Sequence, residues 1–115
     1  MATIYMSCSF KDYDNNNQFE RYIIEKLFPN QEITIINPKN IKIAKEDVIK
    51  NLNTIAFNKH QMRIMEKYFF PLIKQSNYLI AFANNGKLTS CMKQEIRYAK
   101  YNHIQTQIIN ITLGV

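Results

Sequence analysis

Asn77-Tyr-Leu-Ile-Ala-Phe-Ala83 is the most strongly strand-like stretch of the chain, and the residues around it decide the fold. It is short, apolar and rich in β-formers, which marks a strand buried on both faces. Asn84-Asn-Gly86 follows as a turn signal. Thr89 or Ser90 can then cap a helix running to about Asn102, with Met92, Ile96, Ala99 and His103 on its inner face.

The same alternation extends outward in both directions. Thr3-Ile-Tyr-Met-Ser-Cys-Ser9 reads as a buried first strand. A polar stretch from Lys11 to Gln18 leads into a helix with Phe19, Ile23, Ile24, Leu27 and Phe28 on one face, ended by Pro29. Ile33-Thr-Ile-Ile36 is a second strand, stopped by Asn37-Pro38. Residues 39–58 read either as a helix around Glu46 to Leu52 or as a loop. From Lys59, helical spacing returns through Met62, Met65, Phe69 and Leu72, and Pro71 must kink this helix or start a new turn. Gln107-Ile-Ile-Asn-Ile-Thr112 supplies a fourth strand.

Strands separated by helices require crossovers and therefore a parallel sheet. The expected fold is a small doubly wound α/β domain, flavodoxin/Rossmann-like, with strand order 2-1-3-4 and helices on both faces. All 115 residues are read as one domain. No apolar run reaches the roughly 20 residues that cross a bilayer, so no membrane partner is expected. The first residues lack a signal-peptide pattern and the two cysteines suggest no disulfide framework, so a reducing cytoplasm is the expected compartment.

Net charge is +6. A positive domain attracts phosphates. Lys59, Arg63 and Lys67 recur at helical spacing as one basic stripe, read as a solvated face; a nucleic-acid partner is not expected. His60, His103, Cys8 and Cys91 form no triad or metal set, so no metal is expected and no cofactor is called for. With only Gly86 and Gly114, the chain has no glycine-rich dinucleotide fingerprint or P-loop.

In a doubly wound sheet, ligands sit outside the carboxyl ends of the strands where the order reverses. That rule selects Ser7, Cys8, Ser9 and Phe10 after the first strand. Asn37 lies after the second. Asn84, Asn85, Gly86, Ser90 and Met92 follow the third strand into the last helix. Glu95 flanks the apolar stripe of that helix, at the border of core and cleft. Tyr5, central in the first strand, faces either the helical cover or the cleft.

Several segments together resemble the nucleoside 2-deoxyribosyltransferase-like superfamily. They are Ile4-Tyr-Met-Ser7, Asn37-Pro38, Ser76-Asn-Tyr-Leu-Ile80 and Ser90-Cys-Met-Lys-Gln-Glu-Ile-Arg-Tyr-Ala99. The resemblance implies a catalytic pair, with Glu95 as nucleophile at the anomeric carbon and Tyr5 orienting it. It also implies cleavage or transfer at an N-glycosidic bond of a nucleoside or nucleotide ligand. Asn77 stands where the family commonly has Asp, which leaves open a module that binds such a ligand without turnover. Met6-Ser-Cys-Ser-Phe-Lys-Asp12 and Thr89-Ser-Cys-Met-Lys-Gln-Glu95 are also similar to TIR domains, which implies NAD glycohydrolysis or cyclisation as a further alternative. A homo-oligomer is expected, because a four-stranded sheet leaves its edges uncovered.

Overall fold

In the computed structural model, which describes residues 1–9, 12, 15–47 and 59–112, the sheet is built from four parallel strands. They are β1 (Ala2–Cys8), β2 (Ile33–Ile36), β3 (Tyr78–Asn84) and β4 (Gln105–Ile111), in spatial order β2-β1-β3-β4. This is the expected doubly wound order. β1 and β3 are central, and each carries five consecutive buried residues; β4, at an edge, has none.

Side chains alternate across the sheet, so the central strands divide into two cores. Ile4, Met6 and Cys8 of β1 join Ile80 and Phe82 of β3 under α1 (Asn16–Tyr22), which contributes Phe19 and leads into a π-helical turn (Ile23–Leu27) contributing Ile23. Phe19 stacks on Phe82 with ring centroids 4.5 Å apart. On the opposite face, Tyr5, Leu79 and Ala81 meet Ile73, Met92, Ile96 and Ala99. These come from α3 (Phe70–Lys74) and α4 (Ser90–Tyr101). Phe70 and Tyr98 stack 4.2 Å apart and tie those two helices together. The helices therefore cover both faces.

The long helix expected from Lys59 is divided into α2 (Lys59–Ile64), a π-helical turn (Met65–Phe69) and α3. Pro71 explains the break. It has no N–H to return to the preceding turn, so the ladder widens, and Phe70 N–H bonds to the Met65 carbonyl five residues back. The break lies just before Pro71, which sits in the first turn of α3. Residues 48–58 of the stretch with two open readings lie outside the described residues.

α4 starts where Thr89 Oγ1 accepts a hydrogen bond from Met92 N–H at 3.2 Å. It ends in a Schellman motif: Ile104 N–H reaches the Ala99 carbonyl at 2.8 Å, and His103 N–H reaches that of Lys100. His103 adopts φ 59° as the left-handed residue of this cap and is exposed. It is thus corrected from the inner face of α4, which Met92, Ile96 and Ala99 do occupy. Because the Thr89 cap fixes the start of the helix that carries Glu95, Thr89→Ala is expected to cost about 1 kcal/mol of folding stability, read by urea unfolding. An unchanged unfolding midpoint would show that the cap contributes nothing to stability.

Candidate functional site

Alternation along β1 puts Tyr5 and Ser7, two residues apart, on the face covered by α4. Beside them on β3, Leu79 pairs with Tyr5 and Ala81 with Ser7. Ala81 is small, so the sheet is lowest where α4 crosses it near Ser7. On α4 the buried residues are Met92, Glu95, Ile96 and Ala99. That spacing of three, four and seven makes Glu95 a member of the inward stripe rather than its flank.

Glu95 is 6% exposed, and both carboxylate oxygens are engaged. Tyr5 Oη donates a short hydrogen bond to Oε2, and Ser7 Oγ donates to Oε1 at 2.9 Å. Burial without a cationic partner among these contacts raises the Glu95 pKa from 4.5 to about 7, and the two hydroxyl donors oppose that rise. The outcome is a carboxyl group poised to gain or lose its proton near neutrality. Two of its roughly four lone-pair sites are already used. Such a group can trap or stabilise a carbon centre that develops positive charge.

The neighbouring thiols are not nucleophiles. Cys8 is pushed up to about 12 by burial and then by the nearby Glu95 and Asp12 charges. Burial, and next Glu95, raise Cys91 as well. Both stay as neutral thiols near neutral pH.

A second polar cluster occupies the α1 side of the same sheet edge. Cys8 Sγ donates to Asn16 Oδ1 at 3.3 Å, and Asn16 Nδ2 donates to Asn37 Oδ1 at 2.6 Å. Asn37 Oδ1 also accepts from Lys39 N–H at 3.0 Å, capping the 3-10 turn Pro38–Asn40. Asn16, 1% exposed, is the hub of this chain and was not among the residues singled out in the sequence. Its only signal there is its place in a run of three Asn. Asp12, buried between β1 and α1, accepts from Asn84 Nδ2 at 3.4 Å, which links it to the carboxyl end of β3.

The other singled-out positions fall into different places. Asn85 and Gly86 have φ of 54° and 73° and form a tight exposed turn, with Lys87 N–H returning to the Asn84 carbonyl at 3.1 Å. Ser90 is exposed at the first position of α4, and Met92 is buried in the core beneath it. Ser9 is half-buried at the end of β1. Phe10 lies outside the described residues. The structure therefore joins Tyr5, Ser7 and Glu95 in one hydrogen-bonded group, and places Cys8 and Asn37 in a second.

Two open clefts border α3. One, of about 450 Å³, lies at the carboxyl end of β2 and is lined by Asn37, Lys42, Lys67, Tyr68 and apolar residues including Ile36 and Leu72. The other, of about 640 Å³, is an outer groove between α3 and α4, lined by Phe70, Tyr98 and Tyr101 among others. Glu95 lines neither of them. Among the described residues no group of three or more His, Cys, Asp or Glu is placed to hold a metal ion. Nor is any helix long and apolar enough to cross a membrane.

The chain matches no protein-family model, and no curated protein matches it.

Proposed function

We propose that the protein cleaves or transfers at the N-glycosidic bond of a nucleoside or nucleotide, with Glu95 as the nucleophile. The observation that carries this reading is the buried Tyr5–Glu95–Ser7 group. In its ionised form, Glu95 forms a bond to the anomeric carbon as the carbon–nitrogen bond breaks. The bonding pair leaves with the base, which takes up a proton from solvent. Water or an acceptor base then displaces the carboxylate and regenerates it. Tyr5 and Ser7 position the carboxylate, and their hydroxyls favour the ionised form that the attack requires.

The pH dependence follows from the same group. Glu95 must be ionised to attack, so kcat/KM is expected to rise with pH through an acidic limb near 7. Tyr5→Phe removes a donor that lowers this pKa. It is expected to shift the limb to higher pH and to reduce kcat by roughly 10- to 100-fold. A pH profile identical to that of the native protein would contradict the positioning role of Tyr5.

The low exposure of Glu95 favours one second reading, a module that holds a nucleotide-derived ligand without turning it over. Native protein incubated with deoxynucleosides, deoxynucleotides and NAD separates the two. Glu95-dependent release of base supports the enzyme, release from NAD alone supports the NAD-consuming version, and stabilisation by a ligand without release supports the module.

A further inference from the structure

The cleft at the carboxyl end of β2 has the composition of an anion site. Asn37 is 6% exposed, and its carbonyl oxygen already accepts from Asn16 and from Lys39 N–H. Its Nδ2 has no acceptor among the described residues, and the residue lines the cleft. An amide donor at the wall of a cleft is available to an anion that binds there. Lys42 and Lys67 also line the cleft and supply charged donors. Lys42 has no acidic partner among the described residues. Lys67 is 65% exposed along its side chain and 3.4 Å from Asp47, an acid that also accepts from Tyr68 Oη at 2.5 Å.

The surroundings have the same sign. Segments 39–47 and 59–67, which lead to the two sides of this cleft, carry six Lys or Arg against three Asp or Glu. All six cations are exposed. The stripe of Lys59, Arg63 and Lys67 therefore ends at the cleft wall instead of facing only bulk solvent. Such a concentration of one charge raises the local density of anions.

Position connects this cleft with Glu95. Ile36, in the cleft wall, is the strand partner of Tyr5, whose hydroxyl holds Glu95. Ile36 also packs against the core on the Tyr5 face. The cleft thus begins one strand away from Tyr5, the residue that holds the carboxylate. A nucleotide bound at both places would turn its anomeric carbon toward Glu95 and its phosphate toward the lysines.

We propose that the cleft bounded by Asn37, Lys42 and Lys67 is a phosphate subsite and that the ligand of the Glu95 centre is a nucleotide, not a nucleoside. This assignment rests on the N-glycosidic reading for its link to Glu95, while binding of phosphate in the cleft stands or falls separately. The test is calorimetric titration of the native protein with deoxynucleoside 5′-monophosphates, the matched deoxynucleosides and inorganic phosphate. Each monophosphate that binds is expected to do so at least about tenfold more tightly than its nucleoside at low salt, the worth of one good charge-assisted contact. The advantage narrows as salt rises. Inorganic phosphate competes with the monophosphates and leaves nucleoside binding unchanged.

Combining Lys42→Gln with Lys67→Gln is expected to abolish the preference while nucleoside affinity and the circular dichroism spectrum stay as in the native protein. Equal affinity for nucleotide and nucleoside, no binding of any monophosphate, or a preference that survives the double substitution would overturn the subsite. A Lys-dependent phosphate preference without release of base would keep the subsite and defeat the N-glycosidic reading. Glu95-dependent release from nucleosides without any preference would do the reverse.

Discussion

Glu95→Gln is expected to lower base release by roughly 10³-fold or more while ligand affinity stays within about threefold of native, because loss of the proposed nucleophile acts on the transition state. The substitution suits the site. Gln has nearly the same shape, so the packing against Met92 and Ile96 on α4 is kept. Its amide oxygen can accept from one hydroxyl, and its NH₂ can donate to the other, since both Tyr5 and Ser7 carry oxygens that accept as well as donate. A folded variant with native turnover would remove Glu95 from the chemistry. A parallel loss of turnover and of affinity would make it a ligand-holding residue instead.

The second large effect is on stability. Burial raises the Glu95 pKa in the folded protein from 4.5 to about 7, so the folded state holds the proton more tightly than the unfolded chain does. The contribution of the protonated group to stability is complete below about 4.5 and is lost as pH rises through about 7. The gap corresponds to about 3 kcal/mol as an upper bound. Urea unfolding of the native protein at pH 5 and pH 8 is expected to show most of this loss, on top of whatever the other titrating groups contribute. Gln at the same position cannot titrate, so subtracting its two unfolding free energies isolates the Glu95 share. Equal pH dependence in the two proteins would show that the carboxylate is not desolvated as its 6% exposure indicates.

These two effects share one origin, an acidic side chain placed in the apolar stripe of α4. A well-packed neutral residue there would remove the cost of burying a carboxylate. A buried carboxylate with a raised pKa beneath two hydroxyls is the kind of arrangement found at functional sites, which supports the proposed role of Glu95.

The architecture was legible because each strand lies between segments of helical spacing, and parallel crossovers leave few arrangements open. β2 has the expected bounds, whereas β4 begins at Gln105 rather than Gln107. Gln105 and Thr106 are polar and lie on an edge strand, where pairing with β3 and not burial defines the strand. The π-helical turn at Met65–Phe69 was not legible. Pro71 announces a disturbance, but its form depends on how Phe69 and Phe70 pack against the sheet face. His103 satisfied the helical pattern by spacing, yet the Schellman motif ends α4 two residues earlier, at Tyr101.

At the site, Tyr5 and Glu95 could be named from the sequence, but their contact spans 90 residues and needs the sheet to bring it about. Ser7 was visible as a residue at the strand end. Its bond to Glu95 is foreshadowed only by its two-residue spacing from Tyr5, which gives both side chains the same face. Asn37 was visible at the end of the second strand and Lys67 in a basic stripe, but nothing local joins either of them to Lys42 in one cleft. Asn37 and Lys67 are 30 residues apart and meet only because α3 packs beside the end of β2.

The most direct measurement is chromatographic detection of free base after incubating native protein and Glu95→Gln with deoxynucleotides, deoxynucleosides and NAD. Release from the nucleotide or nucleoside panel by the native protein, lost in the variant, is the expected result. Absence of release from every panel, with one ligand still raising the melting temperature, would contradict the N-glycosidic reading and leave Tyr5, Ser7 and Glu95 as a binding or structural group.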